Sequence, residues 1–415
     1  GSVSAMAAET SRESLQVHNL QRGAFDNGPA LGYRKQQRSA LMAQMNYLTA
    51  CTFDFGALAQ LPKVLKGLGV SRPFVVSDPG LKANGLVDRL LAALSEPPAG
   101  VYADTPANPT EAAATEAAAR YRACGADGIV ALGGGSSMDL AKAVGLMATH
   151  EGPWEKYGGT QRGMRLVTAI PPLMAVPTTA GTGSEASVGF VLILNNGRKE
   201  TFVSPFFIPK AAICDPELTL GLPPMLTAAT GMDAMTHCIE AVLSVVVHPP
   251  AEAIGLDGAE RAWKWLPVAV ADGTNRDARW HMMMASYQGA LAFVKGLGVV
   301  HSLSHALGRV QELKLHHGTL NAVILPHSLA MIAGRADEKF ARIRRALGLA
   351  PGADLAAAIS DLNKRIGLPS SLSQMGVTEA HWPAAREYAL SDIATAANAI
   401  PFDSEKFDEL FKRAF

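Results

Sequence analysis

The sequence predicts an α/β N-terminal part built on a parallel sheet, followed by an all-α C-terminal part. Two observations predict this. Up to about residue 222, short apolar runs alternate with helical patterns, the order that builds a parallel sheet with crossover helices. Beyond "LTLGLPPMLTAAT" (Leu218–Thr230) long helical periods dominate and β-branched runs are few. With 415 residues, 48% of them hydrophobic and 18% charged, the chain can build two domains with separate cores.

Residues 1–45 are polar and turn-rich ("FDNGPALGYRKQQ") and read as an N-terminal extension. The opening Gly-Ser reads as a cloning remnant, with Met6 as a native start. The α/β part is expected over 46–222. In it "YLTACTFDFG" reads as a strand entering a turn, and "ALAQLPKVLKGLG" as a helix stopped by glycine. "RPFVVSD" reads as a strand and "LVDRLLAAL" as a helix. "GVYAD" and "GIVALGGG" read as strands flanking the Ala- and Glu-rich helix "TEAAATEAAARYRACG". "LMAVPTT", "GFVLIL" and "AAICDP" are further strands. The helical part is expected over 223–415.

Lys plus Arg and Asp plus Glu are both 37, so the net charge is zero and a globally basic surface for nucleic acid is absent. No apolar run reaches the roughly 18 residues that span a membrane, so no membrane partner is expected. The four cysteines, Cys51, Cys124, Cys214 and Cys238, form no CxxC pair and are widely spaced. That pattern fits free thiols in a reducing cytoplasm.

Three stretches of the α/β part carry polar chemistry. "GIVALGGGSSMDLAKAVGL" (Gly128–Leu146) is a buried strand, a Gly-Ser turn and a helix. Glycines there let the backbone approach a ligand, and free N–H groups at the helix start attract an anion. It is neither a GxGxxG fingerprint nor a Walker A loop, so a plain tight turn is the competing reading. "VPTTAGTGSEAS" (Val176–Ser187) places hydroxyls and amides after a strand, suited to a nucleotide or to an ordinary capped turn. Asp78 ends "RPFVVSD"; it is placed either to accept a ribose diol and repel a 2′-phosphate, or simply to start a turn.

In the helical part, "GMDAMTHCIEAV" (Gly231–Val242) reads as an amphipathic, largely apolar helix with Asp233 and His237 one turn apart on one face. The spacing suits a surface pair or half of a metal site. Five of the eleven histidines, His301, His305, His316, His317 and His327, fall within "GLGVVHSLSHALGRVQELKLHHGTLNAVILPH". An Asp/His donor set without Cys suits Fe(II), Mn(II) or Zn(II). A single histidine on an apolar face is more often a core residue; the clustering favours ligands.

Together, "GGGSSMDLAK", "VPTTAGTGSE", "DPELTLGLPP", "TGMDAMTHCIEA", "GLGVVHSLSH" and "HHGTLNAVILPH" resemble the iron-containing (group III) alcohol dehydrogenase family. They occur in the family's order over about residues 50 to 330. The resemblance implies an N-terminal dinucleotide-binding domain of dehydroquinate synthase-like fold, a helical metal-binding domain, and a site in the cleft between them. It implies metal ligands at Asp233, His237, His301 and His317, and a further catalytic histidine at His305. Pyrophosphate contacts would fall on Gly134, Gly135 and Ser136 with Asp139 close by. Nicotinamide-side contacts would fall on Thr178, Thr179 and Thr182, the NAD-selecting acid on Asp78, and a loosely matched lysine on Lys199. The His305–His317 segment is two residues longer than the family pattern and ends in a double histidine, which makes His316 the alternative fourth ligand; "HGTLNAVILPH" favours His317.

The implied activity is NAD- and Fe(II)-dependent interconversion of an alcohol, a primary alcohol or hydroxy acid, with its aldehyde or ketone. Zn(II) or Mn(II) are alternative metals. A maleylacetate reductase-like enzyme is the runner-up, and a dehydroquinate synthase-like lyase a weaker one. A homodimer or higher homo-oligomer is expected, with the 1–45 arm a candidate for the contact. Phe293, Lys295 and Arg309 lie near the histidines in sequence, and a cation there would favour a carboxylate-bearing substrate or else face solvent.

Overall fold

The computed structural model describes residues 47–415 except positions 48 and 160. The 1–45 extension and its suggested role in subunit contact lie outside the described residues. Every element below belongs to the unit Leu48–Phe415.

Six strands form one parallel sheet: β1 (Ala50–Phe53), β2 (Pro73–Val76), β3 (Gly100–Tyr102), β4 (Gly128–Gly133), β5 (Leu173–Pro177) and β8 (Ala211–Cys214), in the order β1-β8-β5-β4-β2-β3. Between them run α1 (Leu61–Gly67), α2 (Pro79–Ala83), α3 (Leu86–Ala92), α4 (Glu111–Ala123), α5 (Gly135–Thr149) and α6 (Gln161–Leu166). Every residue of β2, β4 and β5 is buried, as expected where helices cover both faces of a sheet. Side chains alternate between two cores. Phe74, Val76, Ile129 and Ala131 enter one; Val75, Val130, Leu132 and Val176 enter the other.

The central strands position the first part of the site. β4 and β5 are paired to their last residues, Gly133 opposite Pro177. The glycine turn and the threonine loop therefore leave the sheet side by side at its C-terminal edge, where open α/β sheets bind ligands.

One strand departs from expectation. "GFVLIL" forms β6 (Gly189–Ile193), but outside the parallel sheet. It pairs antiparallel with β7 (Lys199–Val203), a strand that the sequence reading did not assign. The reason is visible in the alternation: Phe190, Leu192 and Phe202 are buried while their neighbours are half-buried. Phe190 and Phe202 stack at 4.7 Å across the pair. This one-sided pattern marks a hairpin lying on the domain, not a sheet interior.

The helical part comprises α7 (Pro224–Leu243), α8 (Pro249–Ala271), α9 (Arg276–Ala292), α10 (Val299–Leu307), α11 (His317–Ile332), α12 (Asp337–Ala346), α13 (Leu355–Arg365), α14 (Trp382–Ser391) and α15 (Ser404–Ala414). Among the described residues no single helix is long and apolar enough to cross a membrane. α7 is not the amphipathic helix expected: it is buried around its whole circumference from Thr227 to Leu243. Asp233, His237 and Glu240 are thus inside the core.

Small residues allow the close crossings. A Cβ on Gly318 of α11 would stand 2.1 Å from the Ala229 carbonyl oxygen of α7. A Cβ on Gly231 would meet the Leu266 Cδ1 at 2.3 Å and the Met282 Cε at 2.9 Å. The first obstacle is backbone; the second is the far end of flexible side chains. Gly318→Ala is therefore expected to destabilise by about 3 kcal/mol, the upper end for overpacking, and Gly231→Ala by about 1 kcal/mol. Urea unfolding midpoints of the two variants check this; equal losses would contradict it.

Candidate active site

The glycine turn is shaped by Gly133, whose φ of +150° strains any L side chain. A Cβ there would also stand 2.4 Å from the Ser137 hydroxyl. That hydroxyl donates to Asp78 Oδ2 at 3.1 Å, while Asp78 Oδ1 accepts from the Leu81 N–H at 3.0 Å as the N-cap of α2. Asp78 is thus at the end of β2 against the turn, and it also holds a helix start. α5 begins at Gly135 with no side-chain cap, which leaves its first N–H groups open to an anion.

The threonine loop packs onto this turn. A Cβ on Gly134 would meet Thr179 at 3.3 Å, and one on Gly135 would meet Thr182 at 3.1 Å. The Thr178 N–H donates to the Gly133 carbonyl at 3.0 Å. The Thr179 hydroxyl is buried with no partner among the described residues. Ser136 donates to the Ala107 carbonyl at 2.5 Å. Asp139 stands about one turn into α5, close to the glycine turn, and both its oxygens are engaged. It accepts from the Ser184 hydroxyl at 2.8 Å and the Val191 N–H at 3.0 Å, tying α5 to the threonine loop and to β6. Lys199 stands on β7; its Nζ reaches the Gly308 carbonyl at 3.3 Å and Asn108 Oδ1 at 3.5 Å, next to the Ala107 carbonyl that Ser136 bonds.

The second part of the site comes from three helices. α7 brings Asp233, His237 and Glu240, spaced four and three residues along one face. α10 brings His301 and His305, and α11 begins with His317. Asp233 Oδ1 lies 3.7 Å from His237 Nε2, 3.7 Å from His301 Nε2 and 3.6 Å from His317 Nε2. Asp233, His237 and His301 form a buried group with metal-ligand geometry. His316, the alternative to His317, is the exposed N-cap residue of α11.

Electrostatics couple these groups. Burial pushes the Asp233 carboxyl up, but His237, His317 and His301 outweigh it and hold it well below the usual carboxylate range. Burial lowers His237 to about 4. Burial also pushes His301 down, but its hydrogen bonds to Asp233 and Glu240 prevail and hold it at about 9.

Three supporting residues escaped the sequence reading. Glu240 Oε2 lies 2.5 Å from His301 Nδ1, and its Oε1 accepts from the Val300 N–H at 2.8 Å. Asn321 Nδ2 donates to Asp233 Oδ1 at 2.7 Å. Asp392 Oδ2 lies 2.9 Å from His305 Nδ1. Glu240 and Asn321 were findable, three residues after His237 and four after His317 on buried helices. Asp392 is 87 residues from His305 and leaves no local signal.

The donor set fits a divalent cation. One carboxylate oxygen sits 3.6–3.7 Å from three imidazole nitrogens, close to the ~3.4 Å ligand–ligand edge of a tetrahedron with ~2.1 Å bonds. Cys238, beside His237, supplies no ligand; its thiol faces the Ala285 carbonyl. The four cysteines are free.

Of the residues near the histidines in sequence, Phe293 packs against His237 with the ring centroids 5.0 Å apart and lies against Gly183 of the threonine loop. It is where the two parts of the site meet. Lys295 turns into the core and pairs with Glu252 at 2.7 Å. Arg309 lies with its guanidinium carbon 4.1 Å from the Tyr388 ring centroid.

Residues 49–216 match the family described as iron-containing alcohol dehydrogenase, and residues 227–415 match its C-terminal domain. The chain is 51% identical over 346 residues to 4-hydroxybutyrate dehydrogenase of Cupriavidus necator, covering 81% of this chain and 91% of that protein. A crystal structure of 1,3-propanediol oxidoreductase superposes with a TM-score of 0.84 at 34% identity, over 90% of this chain and all of that one. Sulfoacetaldehyde reductase from Bifidobacterium kashiwanohense, solved in complex with NAD+, superposes with a TM-score of 0.81 at 27% identity, over 90% of this chain and 99% of that one. With both halves matched and an Asp/His cluster where they meet, the chain belongs to the iron-containing alcohol dehydrogenase family and is a metal-dependent alcohol dehydrogenase.

Proposed function

We propose that the protein is an NAD-linked, Fe(II)-dependent dehydrogenase that interconverts a primary alcohol, with ω-hydroxy acids among its substrates, and the corresponding aldehyde. The observation that carries this reading is the single Asp233 oxygen facing three imidazole Nε2 atoms beside the threonine loop. The hydroxy-acid part draws on the likeness to 4-hydroxybutyrate dehydrogenase. Zn(II) and Mn(II) fit the same donors. The enzyme acts as a homodimer or larger homo-oligomer in the cytoplasm.

Asp233, His237, His301 and His317 hold the cation. When bound, it supplies Lewis acidity that lowers an alcohol pKa, and the nicotinamide supplies the hydride acceptor. The protein does the rest. Glu240 holds His301 through Nδ1 and so presents Nε2 toward Asp233. Asn321 fixes the Asp233 carboxylate. Asp392 holds His305 by Nδ1, leaving Nε2 to carry the alcohol proton toward solvent. The open N–H groups after Gly134, with Gly135 and Ser136, receive the pyrophosphate. Thr178, Thr179 and Thr182 line the nicotinamide side, Asp78 accepts the ribose diol, and Lys199 contacts the cofactor from β7. Asp139 keeps the threonine loop in place. Phe293 excludes water between His237 and the loop. The maleylacetate reductase-like alternative is disfavoured by the complete Asp/His set.

Exhaustive chelation is expected to abolish turnover and Fe(II) to restore it; full activity in metal-free protein would refute the metal role. His301→Ala should purify without stoichiometric metal, as read by elemental analysis. Glu240→Gln should weaken metal affinity 10- to 100-fold in a competition titration. Asp78→Gly should raise NADP use relative to NAD and, because glycine is itself a tolerated cap, cost only about 0.3 kcal/mol of stability. An unchanged cofactor ratio would remove Asp78 from the ribose.

A further inference from the structure

Arg309 follows His305 by four residues, in the turn that closes α10 after Leu307. Both side chains meet the same stretch of chain. His305 bonds Asp392, and the Arg309 guanidinium lies over the ring of Tyr388, four residues before Asp392. The two contacts form a two-rung ladder leading away from the metal-ligand cluster.

The rungs differ in charge. His305 has a carboxylate partner. Arg309 forms no ion pair with an Asp or Glu among the described residues; its Nη1 donates to the Lys199 carbonyl. Lys199 forms no ion pair with a carboxylate among the described residues either; its Nζ reaches the Gly308 carbonyl and Asn108 Oδ1. The carboxylate whose charge acts on Lys199 is Asp139, already committed to Ser184 and Val191. Two half-buried cations are therefore held side by side; Lys199 feels the Asp139 charge and serves the cofactor, whereas Arg309 has only a carbonyl oxygen and an aromatic ring. A half-buried cation so placed attracts an anion.

We infer that Arg309 receives the distal carboxylate of a hydroxy-acid substrate whose alcohol end lies at the metal-ligand cluster. This rests on the hydroxy-acid reading above and assigns the residue that selects for it. Arginine is suited to the task because its planar fork pairs with both carboxylate oxygens. The preferred substrate class is thus short ω-hydroxy acids over diols of the same length.

The test compares 4-hydroxybutyrate with 1,4-butanediol, which differ only at the distal end. Steady-state kinetics are run with Fe(II)-loaded wild type, Arg309→Gln and Arg309→Lys. Arg309→Gln is expected to lower the hydroxy-acid to diol ratio of kcat/KM by about 10- to 100-fold, mainly through the hydroxy-acid KM. Arg309→Lys should restore part of the ratio. Equal losses on both substrates would overturn the inference by reducing Arg309 to a brace for Tyr388 and β7. A loss confined to the KM for NAD would overturn it in favour of a cofactor phosphate. If Arg309→Gln does not fold, the wild type still decides: butyrate should inhibit butanediol oxidation at least tenfold better than 1-butanol, and parity would overturn the assignment. A wild type that oxidises butanediol but not 4-hydroxybutyrate would instead refute the hydroxy-acid reading itself.

Discussion

The helical part is organised around one buried carboxylate. Asp233 is 2% exposed on a helix that is apolar on every other face. Burying an ionised carboxylate costs several kcal/mol unless it is paired and hydrogen-bonded. Three imidazoles and the Asn321 amide answer that cost; His237 stands on the same helix, and His301, His317 and Asn321 come from two others. The placement of α10 and α11 against α7 is thereby tied to one side chain. Gly318 lets α11 approach the α7 backbone closely enough for His317 to reach. Glu240, one turn beyond His237, grips both the Val300 N–H and the His301 ring, so it holds the start of α10 and its ligand together.

The α/β part meets this centre through short, specific links. β4 and β5 end in register, which brings the glycine turn beneath the threonine loop. Asp139 then connects α5 to Ser184 and to β6. β7 carries the connection onward, because Lys199 and Arg309 bind each other's backbone neighbourhood at the end of α10. The small hairpin is the bridge between the cofactor loops and the helix that carries two histidines.

Much of this is written locally in the chain. The buried strands are continuous apolar runs, and their turn residues stand where the strands end, so the parallel sheet and the helical second half were legible. The Asp233–His237 pair and the histidine cluster carried the metal reading, and the family motifs assigned the ligands. What was not legible involved contacts between distant segments. β6 has the composition of a core strand, and only its partner β7 shows that it lies outside the sheet. α7 shows charged groups at helical spacing, which suggests an exposed face, yet the residues covering that face come from α10 and α11. Lys295 and Arg309 are both cations near the histidines in sequence. Their fates part because Glu252 lies opposite one and only carbonyls and an aromatic ring lie opposite the other.

The ligands of the cluster are unequal in one respect. The side chains of Asp233, His237 and His301 are 3%, 5% and 1% exposed, whereas that of His317 is 39% exposed. His317 also sits in the first turn of its helix, the part that frays most readily, and only the Ser304 hydroxyl lies near its Nδ1. Three donors thus form a buried cup and the fourth stands at its rim. Water and solutes therefore reach the cluster from the His317 side, while the other three donors are closed off by the packing of α7 and α10.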